Sequence, residues 1–414
     1  MKTSLPSLAG AEWLAFSGVR QIFAVLESGG EEARVIGGAV RNALMGVPVA
    51  DIDFATTATP DKVIALAQAA GIKTVPTGIE HGTVTLVIGG RGFEVTTLRE
   101  DIETDGRHAV VRFGRDWEAD ARRRDFTVNA LSVDSGGTSH DPVGGYADVV
   151  ARRIRFIGDA DRRIAEDRLR ILRLFRFHAE YGEGPIDAAG LSAAISAREG
   201  LRELSAERIG QEMRRIVLAP RAAETVTEMQ ESGILTIVLG GVGYLGQFAR
   251  AVHGEAAIGA APVAATRLAA LACRVEEDMI RVTERLRLAN AERDRILATI
   301  TAARTFVQVP GAKEARRALY QLGAEAYRDG AIQAFAWSAM PQNPREWRAL
   351  YQLPDRWTAP IFPLGGRDII GKGVTGPAVG DLLRAVEAWW IEQDFAPTEK
   401  DLRARLQQMM VAAQ

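Results

Sequence analysis

Short runs in which apolar or β-branched residues alternate with polar ones are confined to the first 150 residues of the chain: "ARVIGG" (33–38), "DIDFAT" (51–56), "GTVTLVI" (82–88), "GFEVTTL" (92–98) and "NALSVD" (129–134). A period of two predicts strands. From residue 160 onward this pattern almost vanishes, and Ala, Leu, Arg and Glu recur at helical spacing. The reading is an α/β head, with a mixed sheet and helices, followed by a long all-α remainder. "GEGPIDAAG" (182–190) and "GGVGYLGQ" (240–247) read as helix junctions, and the proline-rich stretch 340–366 as an irregular connection. The expected division is a head (1–150), a helical neck (151–220), a body (221–340) and a tail (341–414).

One helical stretch carries an unusual polar pattern. In "EDRLRILRLFRF" (166–177), Asp167, Arg170, Arg173 and Arg176 recur at every third position. Each step of three falls about 60° short of a full turn, so as one helix they form a slowly drifting polar stripe. Leu169, Leu172 and Phe175 drift beside it and predict a buried face. Taken alone, the pattern also fits a solvated helix with internal ion pairs.

Composition narrows the class. The chain has 414 residues, 47% hydrophobic and 25% charged, enough to bury full cores. Its single cysteine, Cys273, excludes an internal disulfide or a cysteine-rich zinc site. No signal-peptide-like or membrane-spanning apolar run is found, so a cytoplasmic location away from membranes is expected. A net charge of −2 argues against a uniformly basic nucleic-acid coat. Basicity is instead local: from Arg107 to Arg176 there are fifteen Arg and no Lys against eleven acidic residues. Guanidinium groups suit bidentate phosphate contacts.

Three stretches carry candidate chemistry. In "VIGGAVRNALMGVPVADIDFAT" (35–56), a strand ending at Gly37-Gly38 leads into a helix whose free N–H groups can bind an anion, with Arg41 one turn in. Strand alternation points Asp51 and Asp53 together while Ile52 faces the core. Two parallel carboxylates suit a hard divalent cation such as Mg²⁺, and such a pair can serve in-line phosphoryl transfer. Glu94, in the most regular strand pattern, is a candidate third carboxylate, the alternative being an outward-facing strand residue. In "ARRRDFTVNALSVD" (121–134), Arg123 and Arg124 can take phosphate and Asp125 hydroxyls. A Gly-Gly turn, an Asp-x-Asp or an arginine run is weak by itself.

Together these stretches resemble the class II nucleotidyltransferase superfamily of tRNA CCA-adding enzymes and bacterial poly(A) polymerases. The resemblance rests on "GGAVRNALMG" followed by "DID", then "RRDFTVNAL", "DPVGGYADV", "EDRLRILRLFRF" and "SAERIGQEM", in the family's order over roughly the first 215 residues. It implies a nucleotidyltransferase fold in the head, Mg²⁺ on Asp51 and Asp53, triphosphate held by Gly37, Gly38 and Arg41, and the incoming nucleotide bound by Arg124 with Asp125. It implies that Asp167 and Arg170 read the nucleobase edge, with Arg173 and Arg176 toward phosphate or along the same wall. An acceptor at Asp167 beside a donor at Arg170 matches the amine and ring nitrogen of cytosine and adenine; guanine and uracil place a carbonyl where a donor is needed. The implied function is template-independent building or repair of the 3′-terminal CCA of tRNA from CTP and ATP, gripping the acceptor arm, with no obligate protein partner.

The alternatives are a poly(A) polymerase, a partial enzyme adding only CC or only A, or a silent RNA-binding protein of the same fold. The stretch 101–125, with Gly106 and Gly114, is similar to the family's flexible loop before the Arg-Arg-Asp element, and His108 reads as a loop contact. Asn42 stands where the family often has Asp, and Met45 where it often has Leu. Two decoys are set aside. Gly371-x-Gly373-x-x-Gly376 and the near P-loop ending at Lys372 lack the βαβ context and the Ser or Thr that follows a P-loop lysine, and this stretch resembles a glycine-rich tail turn that touches RNA backbone. The single His-Asp pair, at His140, reads as a loop residue, so no appended phosphohydrolase is expected.

Overall fold

The computed structural model describes residues 5–76, 78–104, 109–338, 343–369 and 376–412. Gly106, His108 and the glycine-rich residues 371–375 lie outside them. The chain forms two compact units, Met1–Gly240 and Gly241–Gln414.

The first unit is built on a mixed sheet whose neighbours are β1 (Ala33–Ile36), β2 (Asp53–Thr56), β3 (Lys73–Val75), β4 (Thr83–Ile88), β5 (Arg91–Thr97), β8 (Ser132–Val133) and β9 (Ser139–His140), ordered β3-β4-β5-β2-β1-β8-β9. Only β2 and β5 run parallel. Period-two burial is clean where one face is covered: Val84 and Leu86 on β4 and Phe93, Val95 and Thr97 on β5 are buried, whereas Glu94 is exposed. Helix α1 (Ser17–Ser28) supplies the cover with buried Val19, Ile22, Phe23 and Leu26, and Phe23 packs edge-on against Phe54 at 5.2 Å.

Two registers position the chemistry. Ile36 pairs with Asp53, so the turn leaving β1 opens beside the start of β2. Phe54 pairs with Val95, and both are fully buried; Asp53 and Glu94, each one residue earlier, therefore share the opposite face. The first of the two aspartates departs from expectation, because β2 begins at Asp53 and Asp51 precedes the strand. The alternation nevertheless persists, with Asp51 exposed, Ile52 buried and Asp53 half-buried.

Other strand expectations are corrected. Of "NALSVD" only Ser132–Val133 is strand; Thr127–Asn129 is a 3₁₀ turn whose asparagine side chain is engaged in the site. Residues 101–104 and 109–113, read as loop, belong to a hairpin of β6 (Arg99–Thr104) and β7 (Ala109–Phe113), whose many charged residues hide its strand character. His140 sits in β9 rather than a loop, its ring 3.0 Å from Asp134.

After the sheet come α4 (Trp117–Arg122), α5 (Tyr146–Val150), α6 (Ala160–Glu166), α7 (Leu169–Tyr181), α8 (Ala188–Ser196) and α9 (Ala206–Leu218); α2 (Gly38–Met45) and α3 (Pro60–Ala69) precede them in the head. The stretch 166–177 is not one helix. Asp167 is extended (φ −155°, ψ 110°) between α6 and α7. Its carboxylate accepts from the Leu169 N–H (3.0 Å) and its carbonyl from the Arg170 N–H (3.0 Å), a local alternative to helix that short acidic side chains favour. Within α7 the apolar expectation holds, with Leu169, Leu172 and Phe175 buried.

A fully buried carboxylate locks the elements behind the site. Asp148 on α5 accepts from Thr127 Oγ1 (2.7 Å), Arg153 Nε (2.8 Å) and Arg155 Nε (3.0 Å). Gly145 permits this approach, since a Cβ there would lie 2.1 Å from the Thr127 carbonyl oxygen. Asp148→Asn leaves donors facing donors, and a destabilisation of about 1–3 kcal/mol is expected by urea titration; an unchanged midpoint would remove this lock from the account.

In the second unit, one apolar cluster gathers Phe306, Tyr327, Phe335 and Trp347, and another Val386, Trp390, Leu402 and Leu406. The proline-rich connection is more regular than expected, containing helices at Pro344–Tyr351 and Leu353–Arg356, where proline sits in the first turn and costs no hydrogen bond. Among the described residues no helix is long and apolar enough to cross a membrane.

Candidate active site

The turn out of β1 needs glycine. Gly37 has φ +62° and ψ −114°, and it precedes α2 as its N-cap. One turn into α2, the Arg41 guanidinium is buried, donating from Nη1 to Asn129 Oδ1 and from Nη2 to Asn42 Oδ1 (2.8 Å). The Tyr181 ring from α7 lies 3.8 Å from the guanidinium carbon. Among the described residues Arg41 makes no salt bridge with a carboxylate, and burial pushes its pKa below the usual arginine value, partly offset by Tyr181 and Glu180. A buried cation held by neutral groups and aimed into a cleft is suited to an anion. Asn42, the departure from the family's Asp, orients Arg41 without neutralising it.

Beside this turn stand the acids. Burial, then the Glu94 and Asp51 carboxylates, push the Asp53 carboxyl up to about 6, with Arg124 acting in the opposite sense. Two further negative groups beside one half-buried carboxyl, three acids in all, invite a cation. Among the described residues no three acidic, histidine or cysteine side chains form a closed metal cage. Mg²⁺ takes one or two carboxylates and completes its shell with water and phosphate oxygens, so Asp51 and Asp53 are the residues that could hold it.

The Arg-Arg-Asp element is held from both sides. Buried Asp120 pairs with Arg123 (2.7 Å) and Arg124 (3.1 Å). Asp125 is buried and fully subscribed: it accepts from Arg173 Nε (2.8 Å) and Nη2, from Asn129 Nδ2 (3.2 Å) and from the Phe126 N–H (2.8 Å). The Arg173 guanidinium and these hydrogen bonds hold its carboxyl below the usual range in spite of burial.

The acid and arginines of the polar stripe are likewise partnered. Arg170 donates to Glu166 and to the Arg163 carbonyl (2.8 Å). Arg176, expected at the margin, is buried against Glu212 (2.5 Å) and Glu180 (3.4 Å). Asp167 accepts from Arg208 Nη2 (2.7 Å), reaching over from α9.

One cleft of about 770 Å³ brings these together. Gly37, Gly38, Arg41, Asp51, Asp53, Arg124, Asp125, Asp167, Arg170, Arg173 and Arg176 all line it; Glu94 does not, although it shares the face of Asp53. Sequence reasoning missed Asn129, Phe177, Tyr181, Arg208 and Arg215, which also line it. The first belongs to the "RRDFTVNAL" motif and Arg208 to "SAERIGQEM", but no local pattern gave either a role.

Residues 33–155 match the family described as "Poly A polymerase head domain", and residues 186–242 the "Probable RNA and SrmB- binding site of polymerase A". A CCA-adding enzyme of Geobacillus thermodenitrificans is 42% identical over 214 residues, 51% of this chain and 52% of its own length. The crystal structure of the Bacillus stearothermophilus CCA-adding enzyme in complex with CTP superposes with a TM-score of 0.77 at 28% identity, covering 95% of this chain and 97% of that one. The mitochondrial CCA tRNA nucleotidyltransferase 1 of Mus musculus is 32% identical over 389 residues, 93% of this chain and 88% of its own. With that identity sustained over nearly the whole of both chains, on a head that carries the nucleotidyltransferase fold, this chain belongs to the family of CCA tRNA nucleotidyltransferases.

Proposed function

We propose that this protein builds or repairs the 3′-terminal CCA of tRNA without a nucleic-acid template, taking CTP and ATP as substrates. The observation that carries the reading is the shared cleft: the Asp51–Asp53 acid pair, buried Arg41, which has no carboxylate salt bridge among the described residues, and Asp167 with Arg170 line one space. Free N–H groups at Gly38 and the Arg41 guanidinium hold the triphosphate, and Arg124, steadied by Asp120, adds a second cation. Asp167 accepts from the base amine and Arg170 donates to the adjacent ring nitrogen. Asp125 acts by fixing Arg173, and Arg173 and Arg176 shape the same wall.

The 3′-hydroxyl oxygen of the RNA bonds to the α-phosphorus as the bond to the bridging oxygen breaks; pyrophosphate leaves and the hydroxyl proton passes to water. Mg²⁺ bound by Asp51 and Asp53, with Glu94 adding charge behind them, supplies neutralisation of the phosphate oxygens and a more acidic hydroxyl. The division of labour follows the chain: catalysis in the head (1–150), base selection in the neck (151–220), and contact with the tRNA acceptor arm along the body (221–340) and tail (341–414). The solved complexes of similar fold include a Thermotoga maritima CCA-adding enzyme with tRNA, at 19% identity and a TM-score of 0.70.

The test is incubation with tRNA lacking its last three nucleotides. CTP alone should add two residues, ATP alone almost none, and both together three; long adenosine tails, or arrest after CC, would replace this reading with a poly(A) polymerase or a partial enzyme.

The acid pair also sets a pH dependence. The carboxyl of folded Asp53, pushed up to about 6, lies above the ordinary aspartate value of 3.8, so without metal its contribution to stability is present at low pH and lost as pH rises through 6. A cation reverses the balance by favouring the ionised form. Mg²⁺ should therefore raise the melting temperature clearly at about pH 7.5 and little at about pH 5; equal shifts at both would speak against binding at Asp53.

A further inference from the structure

We propose that Arg208 is a positioning residue for base selection, acting through Asp167. The inference rests on the functional reading above and adds to it a residue from outside the base-reading stretch. Asp167 sits in extended backbone between α6 and α7, so no helix fixes the direction of its side chain. One carboxylate oxygen, Oδ1, accepts from the Leu169 N–H (3.0 Å) and the other, Oδ2, from Arg208 Nη2 (2.7 Å). Among the described residues these two bonds anchor its side chain, and the second comes from elsewhere in the fold.

Arg208 is itself well held. It leaves α9 in its first turn, and Ile209, Met213, Ile216 and Val217 bury the inner face of that helix. One turn further on, Glu212 receives Arg176 from α7 at 2.5 Å, which fixes α9 against α7. The Arg208 and Asp167 side chains are 25% and 21% exposed, at the rim of the cleft rather than sealed within a core. Arg170 has its own support from Glu166 and the Arg163 carbonyl, so the two halves of the reading pair are positioned independently.

The consequence is chemical. A carboxylate offers about four lone-pair directions; with Leu169 N–H and Arg208 occupying one on each oxygen, the remaining ones are fixed in space. An amine meets an acceptor there, and a carbonyl meets another acceptor. Freed from Arg208, the carboxylate can swing away from the base edge, and a carbonyl at the same place then costs less. Selection for cytosine and adenine over uracil and guanine weakens even though Asp167 itself is intact.

The experiment compares wild type, Arg208→Met and Arg208→Lys, each with its melting temperature measured, for kcat/KM with CTP, UTP, ATP and GTP. The acceptors are tRNA lacking CCA and tRNA ending in CC. Arg208→Met is expected to lower the C-over-U and A-over-G ratios about tenfold. Arg208→Lys, which keeps the charge but not the planar fork, should fold regardless and lose selectivity to a smaller extent. In an Asp167→Ala background, Arg208→Met should change the ratios no further. Unchanged ratios in the folded variants, or an additional loss on top of Asp167→Ala, overturn the proposal. A wild-type protein that adds neither C nor A instead sinks the functional reading on which it rests.

Discussion

Replacing Asp51 and Asp53 together by alanine should lower nucleotide incorporation by about 10³-fold or more while leaving tRNA binding in place. A metal at such a pair stabilises transition-state charge by several kcal/mol, and each 1.36 kcal/mol is a factor of about ten. Asp53 is half-buried beside Glu94 and Asp51, with its carboxyl pushed up to about 6. Burial is the larger cause of that shift and the neighbouring carboxylates the smaller, so deleting the pair removes both penalties and the melting temperature without metal should not fall. Incorporation and gel-shift binding measured on one preparation separate loss of chemistry from loss of fold. Incorporation that persists in the double variant refutes the assignment of the cation to these residues.

The second large effect belongs to the pair proposed to read the base, Asp167 and Arg170. Asp167→Ala removes the only acceptor proposed to face the exocyclic amine, and Arg170→Ala the donor beside it. An unmade hydrogen bond at a desolvated edge costs about 1–3 kcal/mol, so either change should cut kcat/KM for CTP and ATP by roughly ten- to a hundredfold. UTP and GTP, which present a carbonyl toward Asp167, should be used no worse by Asp167→Ala. The separation between the two nucleotide classes thereby collapses, which general damage to the site would not produce. Parallel losses for all four nucleotides would assign Asp167 a structural role instead, consistent with its hydrogen bond to the Leu169 N–H.

Legibility in the sequence followed the distance over which each feature is encoded. The strand–Gly-Gly–helix unit is local: β-branched residues make β1, and the positive φ of Gly37 admits only glycine comfortably. The Asp-x-Asp pair and its buried Ile52 follow from alternation carried two residues beyond the strand. The buried face of α7 was equally plain in Leu169, Leu172 and Phe175. The break at Asp167 was not, because a three-residue recurrence of charge continues across it and only the side chain's bond to Leu169 N–H reveals the interruption. Long-range partners left no periodic trace at all. Asn129 meets Arg41 across 88 positions, and Arg208 meets Asp167 across 41. The β6–β7 hairpin escaped for another reason: pairing between its strands outweighs the poor strand propensity of Glu, Asp and Arg.

Glu94 joins its two readings. It is an exposed strand residue, as an unremarkable acid would be, and it also lies on the face of Asp53, where its charge is felt. Alternation alone could not tell these apart, because the outward face of β5 is the face toward the acid pair.

The most direct measurement supplies all four nucleoside triphosphates at equal concentration to purified protein with Mg²⁺ and a tRNA lacking its 3′-terminal CCA, then sequences the ends that form. The account predicts ends of CCA and nothing longer, with uridine and guanosine rare at every added position. Ends of mixed composition, adenosine tails of varying length, or tRNA left unextended would contradict it.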